Sequence, residues 1–415
     1  MAREMYPSYE QLRRLSQRFG NSFYIAYPDR YASNISNFLL PLRAIYPNTN
    51  LGYSLKTNYL PAFFKKALSR GLYAEVVSRM EYDLALMIGA TPNRIIFNGP
   101  VKTLEDMRIS LLGGARVNLE CHTEVDMLES ISRIHPDYDF EVGLRCNFDL
   151  GESGRSRFGF DADNGDLQLA FRRINDLPRC RVSGLHFHYS RDRTAASYRT
   201  RSEKIVRISN ELFMAEPPDF LDLGGGFAGP MSDELRKQLP FTAPSFDEYA
   251  EAIAAPIART FGISNGPELI LEPGVAMVGD TMDFISYVFS IKNIAGQRYA
   301  VTTGSYQNIK PSVNDINPPL SVISAAGASN SNVAIPTDVV GYTCMEQDML
   351  FRGLTVPIDA GDYVLISNAG AYSFVFKPPF ISPAPAILSY DQPSGDWIAL
   401  RLPETVQDLM AGYVI

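Results

Sequence analysis

Cysteine is scarce in this 415-residue chain: Cys121, Cys146, Cys180 and Cys344 are the only four, and no CxxC spacing links them. They are too few for a disulfide-stapled secreted scaffold, and a reducing cytoplasm is the simplest expected home. Runs of one charge are missing as well. The 38 basic and 46 acidic residues, net −8, are spread along the chain, with no Lys/Arg tract that could follow a phosphate backbone, so nucleic acid is not an expected partner. No segment approaches ~18 uninterrupted apolar residues, and Met1–Phe19 lacks the apolar core of a signal peptide. No membrane partner is expected either. Internal repeats and low-complexity tracts are also absent. No GxGxxG follows the first strand to open a helix, which disfavours a doubly wound nucleotide-binding sheet.

What is present is an ordinary globular composition, 46% hydrophobic and 20% charged, able to build a core without metals or disulfides. The length exceeds one ordinary domain, although a single α/β barrel takes up about 250 residues. Ser8–Phe19 has helical spacing, with Leu12, Leu15 and Phe19 on one side; Ser22–Tyr27 is a strand and Asp29–Tyr46 a helix. Short apolar runs then alternate with helix-length segments: Leu51–Lys56, Tyr73–Val77, Arg94–Phe97, Arg116–Glu120, Phe140–Cys146, Val182–His188, Phe220–Leu223 and Glu268–Glu272. Eight such units predict an α/β fold, a (β/α)8 TIM-like barrel over residues 30–275. Past Gly274 the pattern changes to β-branched and aromatic runs broken by Gly, Pro and Asn. That predicts a C-terminal all-β domain, 276–415, to which residues 1–29 are assigned. Within it, the small polar residues from Ser324 to Asn332 predict a loop.

The ends of the eight runs gather polar groups: Lys56, Glu75 to Ser78, Asn98, Glu120, Arg145, His188, Gly224-Gly225-Gly226 and Glu272. In a parallel barrel that rim carries the chemistry. An amine held there can form a Schiff base with a carbonyl, the usual anchor of pyridoxal phosphate, although a lone strand-end lysine is ordinarily just exposed. The glycine triplet after the seventh strand can bring backbone N–H groups to an anion, or simply make a tight turn. Glu272, before Pro273-Gly274, can pair with a protonated ring nitrogen or cap its own turn. His186 and His188 lie two apart on one strand face. A zinc pair lacks a convincing third ligand, and His188 is preferred as a ring stacked on a cofactor.

Together these stretches resemble the fold type III pyridoxal phosphate decarboxylases, the family of diaminopimelate, ornithine and arginine decarboxylases, over nearly the whole chain. Tyr53-Ser54-Leu55-Lys56-Thr57-Asn58 is similar to the family's lysine motif, and Glu75-Val76-Val77-Ser78 with Glu81 to the segment after the second strand. Arg145 and Arg157-Phe158-Gly159, Gly184-Leu185-His186-Phe187-His188, Gly224-Gly225-Gly226 and Glu272-Pro273-Gly274 follow the pattern. So do Cys344 with Asp348, and Gly370-Ala371-Tyr372.

The resemblance implies pyridoxal 5′-phosphate as cofactor and decarboxylation of an amino acid as reaction. It implies Lys56 as the Schiff-base lysine, His188 as the stacking ring, Glu272 as the partner of the ring nitrogen, the triplet as phosphate loop and Tyr372 as a cofactor contact. Cys344 would protonate the product carbanion, and Arg145, Met345 and Glu346 would lie near the substrate. It further implies a homodimer in which the β domain of one subunit completes the other's site, with Arg157 and Asp348 as an ion pair between subunits.

Three positions depart from the family. Val275 stands where an arginine follows Glu-Pro-Gly, and Tyr189-Ser190-Arg191 replaces x-Gly-Ser, so Ser190 or Arg191 is the expected substitute phosphate donor. The acid after the cysteine is Met345, with Glu346 one place later, which disfavours a simple diamine precursor. Spellings shared with a siderophore-assembly branch, at Gly184–His188 and Ala369–Tyr372, favour a substituted, non-standard α-amino acid. Two alternatives remain: an amino-acid racemase on the same barrel, which would pair the ring nitrogen with arginine rather than Glu272, and a non-catalytic cofactor-binding protein.

Overall fold

A computed structural model of the chain describes residues 6–214, 216–309, 315–325, 335–376 and 379–414. They form two compact units, one of residues 32–228 and 241–276, the other of residues up to Tyr31, Gly229–Pro240 and from Met277 onward.

The first unit is a closed parallel barrel. After β1 (Ser22–Ala26), which belongs to the other unit, come β2 (Thr49–Ser54), β3 (Tyr73–Val76), β4 (Ile95–Phe97), β5 (Arg116–Leu119), β6 (Phe140–Asn147), the short β7 (Phe160–Asp161), β8 (Cys180–His186), β9 (Phe220–Asp222) and β10 (Glu268–Leu271). The order β2-β3-β4-β5-β6-β8-β9-β10 closes through the parallel pairing of β10 with β2. Helices separate the strands, so both strand faces are buried, as the continuous apolar runs require. Glycines keep the interior narrow. A Cβ on Gly184 of β8 would come within 2.5 Å of the Phe220 ring on β9, and one on Gly143 of β6 within 1.9 Å of Asn118 Oδ1. Tyr73, Ile96, Phe220 and Ile270 pack together inside the unit.

The expected eight strands are the eight barrel strands, with ends displaced by one or two residues. The strand before Lys56 stops at Ser54, and Leu55–Thr57 is a 3-10 turn. Pairing with β3 ends at Ser54↔Glu75, so Lys56 leaves the ladder and stands over the rim. Likewise β8 ends at His186, leaving His188 two residues beyond it.

The second unit contains β1 and a further set: β11 (Met282–Ile294), β12 (Gln297–Thr302), β13 (Leu320–Ile323), β14 (Thr337–Val340), β15 (Met349–Leu354), β16 (Tyr363–Ile366), β17 (Ala386–Asp391) and β18 (Asp396–Arg401). Their main path runs β15-β14-β12-β11-β1-β17-β18, and β16 joins β11 to β13. β1 thus sits centrally, antiparallel to β11 and parallel to β17. The helix Tyr9–Phe19 starts at a capping box in which Ser8 and Gln11 satisfy each other's backbone N–H, and it buries Leu12, Leu15 and Phe19. Those three join Phe23, Ile25, Ile285, Leu365, Leu388 and Trp397 in this unit's core. Three strands escaped the sequence reading, β13, β15 and β18, most of whose residues are half-buried or exposed. Of the expected small-residue loop, 326–332 lie outside the described residues.

Candidate active site at the barrel rim

The carboxyl ends of the barrel strands bring the predicted residues together, and Asn98 is the joint. Directly after β4, its Nδ2 donates to Glu75 Oε1 at 3.2 Å and to Glu272 Oε1 at 2.6 Å, while its Oδ1 accepts from Asn118 Nδ2 at 2.8 Å. An amide is suited to this position, because it offers two donors to two acids and an acceptor to a third partner. Glu75 in turn pairs with Lys56 Nζ. The ammonium therefore sits at the open end of a chain of contacts that runs Lys56, Glu75, Asn98, Glu272. The Lys56 side chain keeps 31% of its surface exposed, whereas Glu75 keeps 1%. Gly52 on β2 makes room for both acids: a Cβ there would lie 3.3 Å from Glu75 Cβ and 3.5 Å from Glu272 Cγ.

Glu272 lies just past β10 and is buried. Burial alone would raise its pKa, but the His186 ring and the Lys56 ammonium outweigh that and hold it below the usual carboxylate range. His186 Nε2 stands 3.6 Å from Glu272 Oε2. Asp222, last residue of β9 and fully buried, is pushed the opposite way, first by burial and then by the Glu272 charge. Both causes favour the protonated form of Asp222, whose Oδ1 accepts from Gly224 N at 2.8 Å. Among the described residues, His186, Asp222 and Glu272 converge to within 4.8 Å. The two histidines part company: His186 joins the two acids, and His188 turns to the glycine loop.

His188 Nδ1 accepts from Gly225 N at 2.9 Å, which fixes the tautomer with the hydrogen on Nε2. Burial pushes its pKa down to about 3, against the opposing pull of Glu272, so the ring is neutral. Side chains are impossible in the triplet. A Cβ on Gly224, whose φ is +62°, would meet His188 Nδ1 at 2.7 Å, and one on Gly225 the Glu272 carbonyl at 2.3 Å. The loop is thus pressed against both His188 and Glu272. These features fit a pyridoxal phosphate: an amine partly open to solvent, an ionised buried acid, a neutral ring and a backbone cradle with no Cβ to block an anion.

Glu81 caps this corner. Its carboxylate accepts from Val77 N at 2.7 Å, and burial, with Glu75 adding repulsion, pushes its pKa up to about 7. Arg145 on β6 donates to Glu120 Oε2 at 3.0 Å and lies 4.6 Å from the centre of the Phe158 ring, with the exposed Arg157 at 4.0 Å from the same ring. Ser190 and Arg191 are both exposed.

In the other unit, Cys344 and Glu346 are exposed and Met345 is half-buried. Asp348 is buried and accepts from Ser305 Oγ, Tyr306 N, Thr343 N and Thr343 Oγ1 at 2.6–3.1 Å. Tyr372 adopts φ +52°, rare for a bulky residue, and stacks on Phe376 at 5.7 Å. Gly370 precedes it because a Cβ there would overlap the Val278 carbonyl at 1.7 Å.

Sequence reasoning missed Asn118, the place of His186 and Asp222. Asn118 lies inside β5, and His186 and Asp222 are the last residues of β8 and β9, where a polar residue after an apolar stretch was the available signal.

The family model described as the pyridoxal-dependent decarboxylase pyridoxal-binding domain matches residues 33–279. The diaminopimelate decarboxylase of Zymomonas mobilis is 24% identical over 87% of this chain and 84% of its own length. That of Bacillus subtilis is 25% identical over 95% and 92%. Among solved structures, diaminopimelate decarboxylase from M. jannaschii in co-complex with L-lysine superposes with a TM-score of 0.85 at 19% identity, covering 97% of this chain and 94% of that one. The Helicobacter pylori enzyme complexed with L-lysine gives 0.82 at 21%, covering 96% and 98%.

Proposed function

The chain belongs to the fold type III pyridoxal 5′-phosphate-dependent amino-acid decarboxylases, and from that premise we propose that Lys56, Glu272 and His188 carry its reaction on a non-standard α-amino acid. The observation that supports this reading most is the contact chain from the Lys56 ammonium through Glu75 and Asn98 to the ionised Glu272. When bound, the cofactor supplies an electron sink for the pair left behind by departing carbon dioxide. The protein's own groups do the rest. Lys56 Nζ would hold the cofactor's carbonyl carbon, and Glu75 and Glu81 beside it would take up and return its proton. Glu272, kept ionised by its neighbours, would hold a proton on the ring nitrogen, which strengthens the sink and favours loss of carbon dioxide over racemisation. Neutral His188 would stack on the ring without repelling that charge. The N–H groups of Gly224 to Gly226 would hold the phosphate.

The second unit would supply Cys344 as proton donor to the product, with Tyr372 as a cofactor contact and Met345 and Glu346 near the substrate's far end. We assign it to a neighbouring copy in a homodimer, with Arg157 and Asp348 facing each other across the interface. Mixing a Lys56→Ala protein with a Cys344→Ala protein should then raise activity above that of either alone. Unrestored activity would count against a shared site.

Displacement of the acid from 345 to 346 supports a substrate larger than a simple diamine precursor. Diaminopimelate, acted on by the named relatives, and an amino acid linked to a larger acid, as in siderophore assembly, are the two candidates. Carbon dioxide release from diaminopimelate, N-acylated diamino acids, lysine, ornithine and arginine tests this. One of the first two should be turned over at least about tenfold faster than the rest, a difference that one buried contact can produce. Preference for ornithine or lysine would overturn the substrate assignment, and α-proton exchange without carbon dioxide would overturn the roles given to Glu272 and Cys344.

A further inference from the structure

Lys102 is a buried charge in an exposed stretch of the barrel unit. Its neighbours Val101 and Thr103 face solvent, yet its own side chain is 0% exposed. The ammonium turns inward: Nζ donates to the Gly99 carbonyl at 2.7 Å and stands 2.9 Å from Oε1 of the buried Glu124. The other oxygen of that carboxylate accepts from Glu120 N at 2.9 Å. One ion pair therefore ties the chain just past β4 to the chain just past β5. A buried pair of this kind adds little net stability, because desolvating both charges offsets their attraction. What it does supply is a fixed geometry.

Both ends of the tie carry rim residues. Gly99 follows Asn98, and its φ of +98° presses it so close to the end of β3 that a Cβ would meet the Val77 carbonyl at 2.3 Å. On the other strand, Glu120 Oε2 accepts from Arg145 Nη1 at 3.0 Å, and the Arg145 side chain keeps 9% of its surface exposed. The charges of Glu272 and Glu75 also act on this guanidinium. Released from Glu120, it would be drawn toward those acids and would neutralise the carboxylate that the rim keeps ionised. We propose that Lys102 and Glu124 are positioning residues that hold Glu120, and through it the Arg145 guanidinium, at a fixed place on the rim. This role rests on the rim being the active site, as above, and adds to it two residues that act only through others.

Lys102→Met alone would leave the Glu124 charge buried and unpaired, which endangers folding. The test therefore uses Lys102→Met/Glu124→Gln, which removes both charges and keeps an acceptor for Glu120 N. Hydrogen exchange of the apoprotein, read by mass spectrometry, should be about tenfold faster or more in peptides spanning 98–102 and 120–124, with the helix Ala195–Leu212 unchanged. In turnover of the fastest substrate, Arg145→Met sets the reference. The pair variant should change the same constant, kcat or KM, in the same direction, by about 3- to 30-fold, and by no more than about twofold when added to Arg145→Met. Effects that multiply in the combined variant, exchange that rises throughout the barrel, or wild-type kinetics in Arg145→Met would each overturn the role. If wild-type protein releases no carbon dioxide from any amino acid, the function proposed above fails instead, and the exchange measurement still decides whether the two loops are tied.

Discussion

At the barrel rim one amide, Asn98, joins Glu75, Glu272 and Asn118. In the β unit one carboxylate, Asp348, holds a turn whose Cys344 and Glu346 face solvent. The rim fixes its acids in a closed network before any ligand arrives, so their charges are set by one another. The 343–348 turn is fixed at its base by Asp348 and leaves the Cys344 and Glu346 side chains exposed. Preorganisation of that kind suits a group that must hold a cofactor's electronics constant.

The largest expected effects come from breaking the rim. Lys56→Ala should reduce carbon dioxide release by about 10⁴-fold or more, and Glu272→Gln by about 10²- to 10³-fold, with the folded state intact by circular dichroism. Next is the anchor of the turn. Asp348→Ala strands four donors and should cost about 3 kcal/mol in urea unfolding of the β unit. If Asp348 acts only between subunits, dimer dissociation would change instead and unit stability would not. Asp222 separates shape from charge. Asn keeps both the acceptor for Gly224 N and a donor toward Glu272, so Asp222→Asn should cost under about 1 kcal/mol, while Asp222→Ala should cost about 1–3 kcal/mol. Smallest is Cys344→Ala, exposed and expected to shift stability by no more than about 0.5 kcal/mol while slowing turnover.

The pH dependence sharpens the same contrast. His188 falls from 6.5 to about 3 on folding. The unfolded chain therefore binds the extra proton between those values, and the stability contribution present above pH 6.5 is lost as pH falls toward 3. His188→Phe should flatten that stretch of the stability profile, measured as urea midpoints at successive pH values. An unchanged slope would mean that the ring is not enclosed as described.

Much of the rim was legible because barrel strands are apolar on both faces and their polar residues stand out at the ends. Lys56, Asn98, Glu120, His188 and Glu272 could be found in that way. Asn118 could not, since a polar residue inside a strand reads as filler, and the partners of His186 and Asp222 at their strand ends are set only when the strands close. Gly184 against Phe220 settles part of that closure, and no local pattern announces it. Lys102 was hidden differently, between exposed neighbours, where only tertiary burial marks it out. In the β unit the edge strands β15 and β18 were missed because half-exposed strands carry weak alternation.

The claim on which the rest depends is that Lys56 is the residue that carries the cofactor. Borohydride reduction of cofactor-replete protein, followed by proteolysis and peptide mass mapping, should place a single pyridoxyl group on the peptide containing Lys56. A label on another lysine, or none at all, would contradict it.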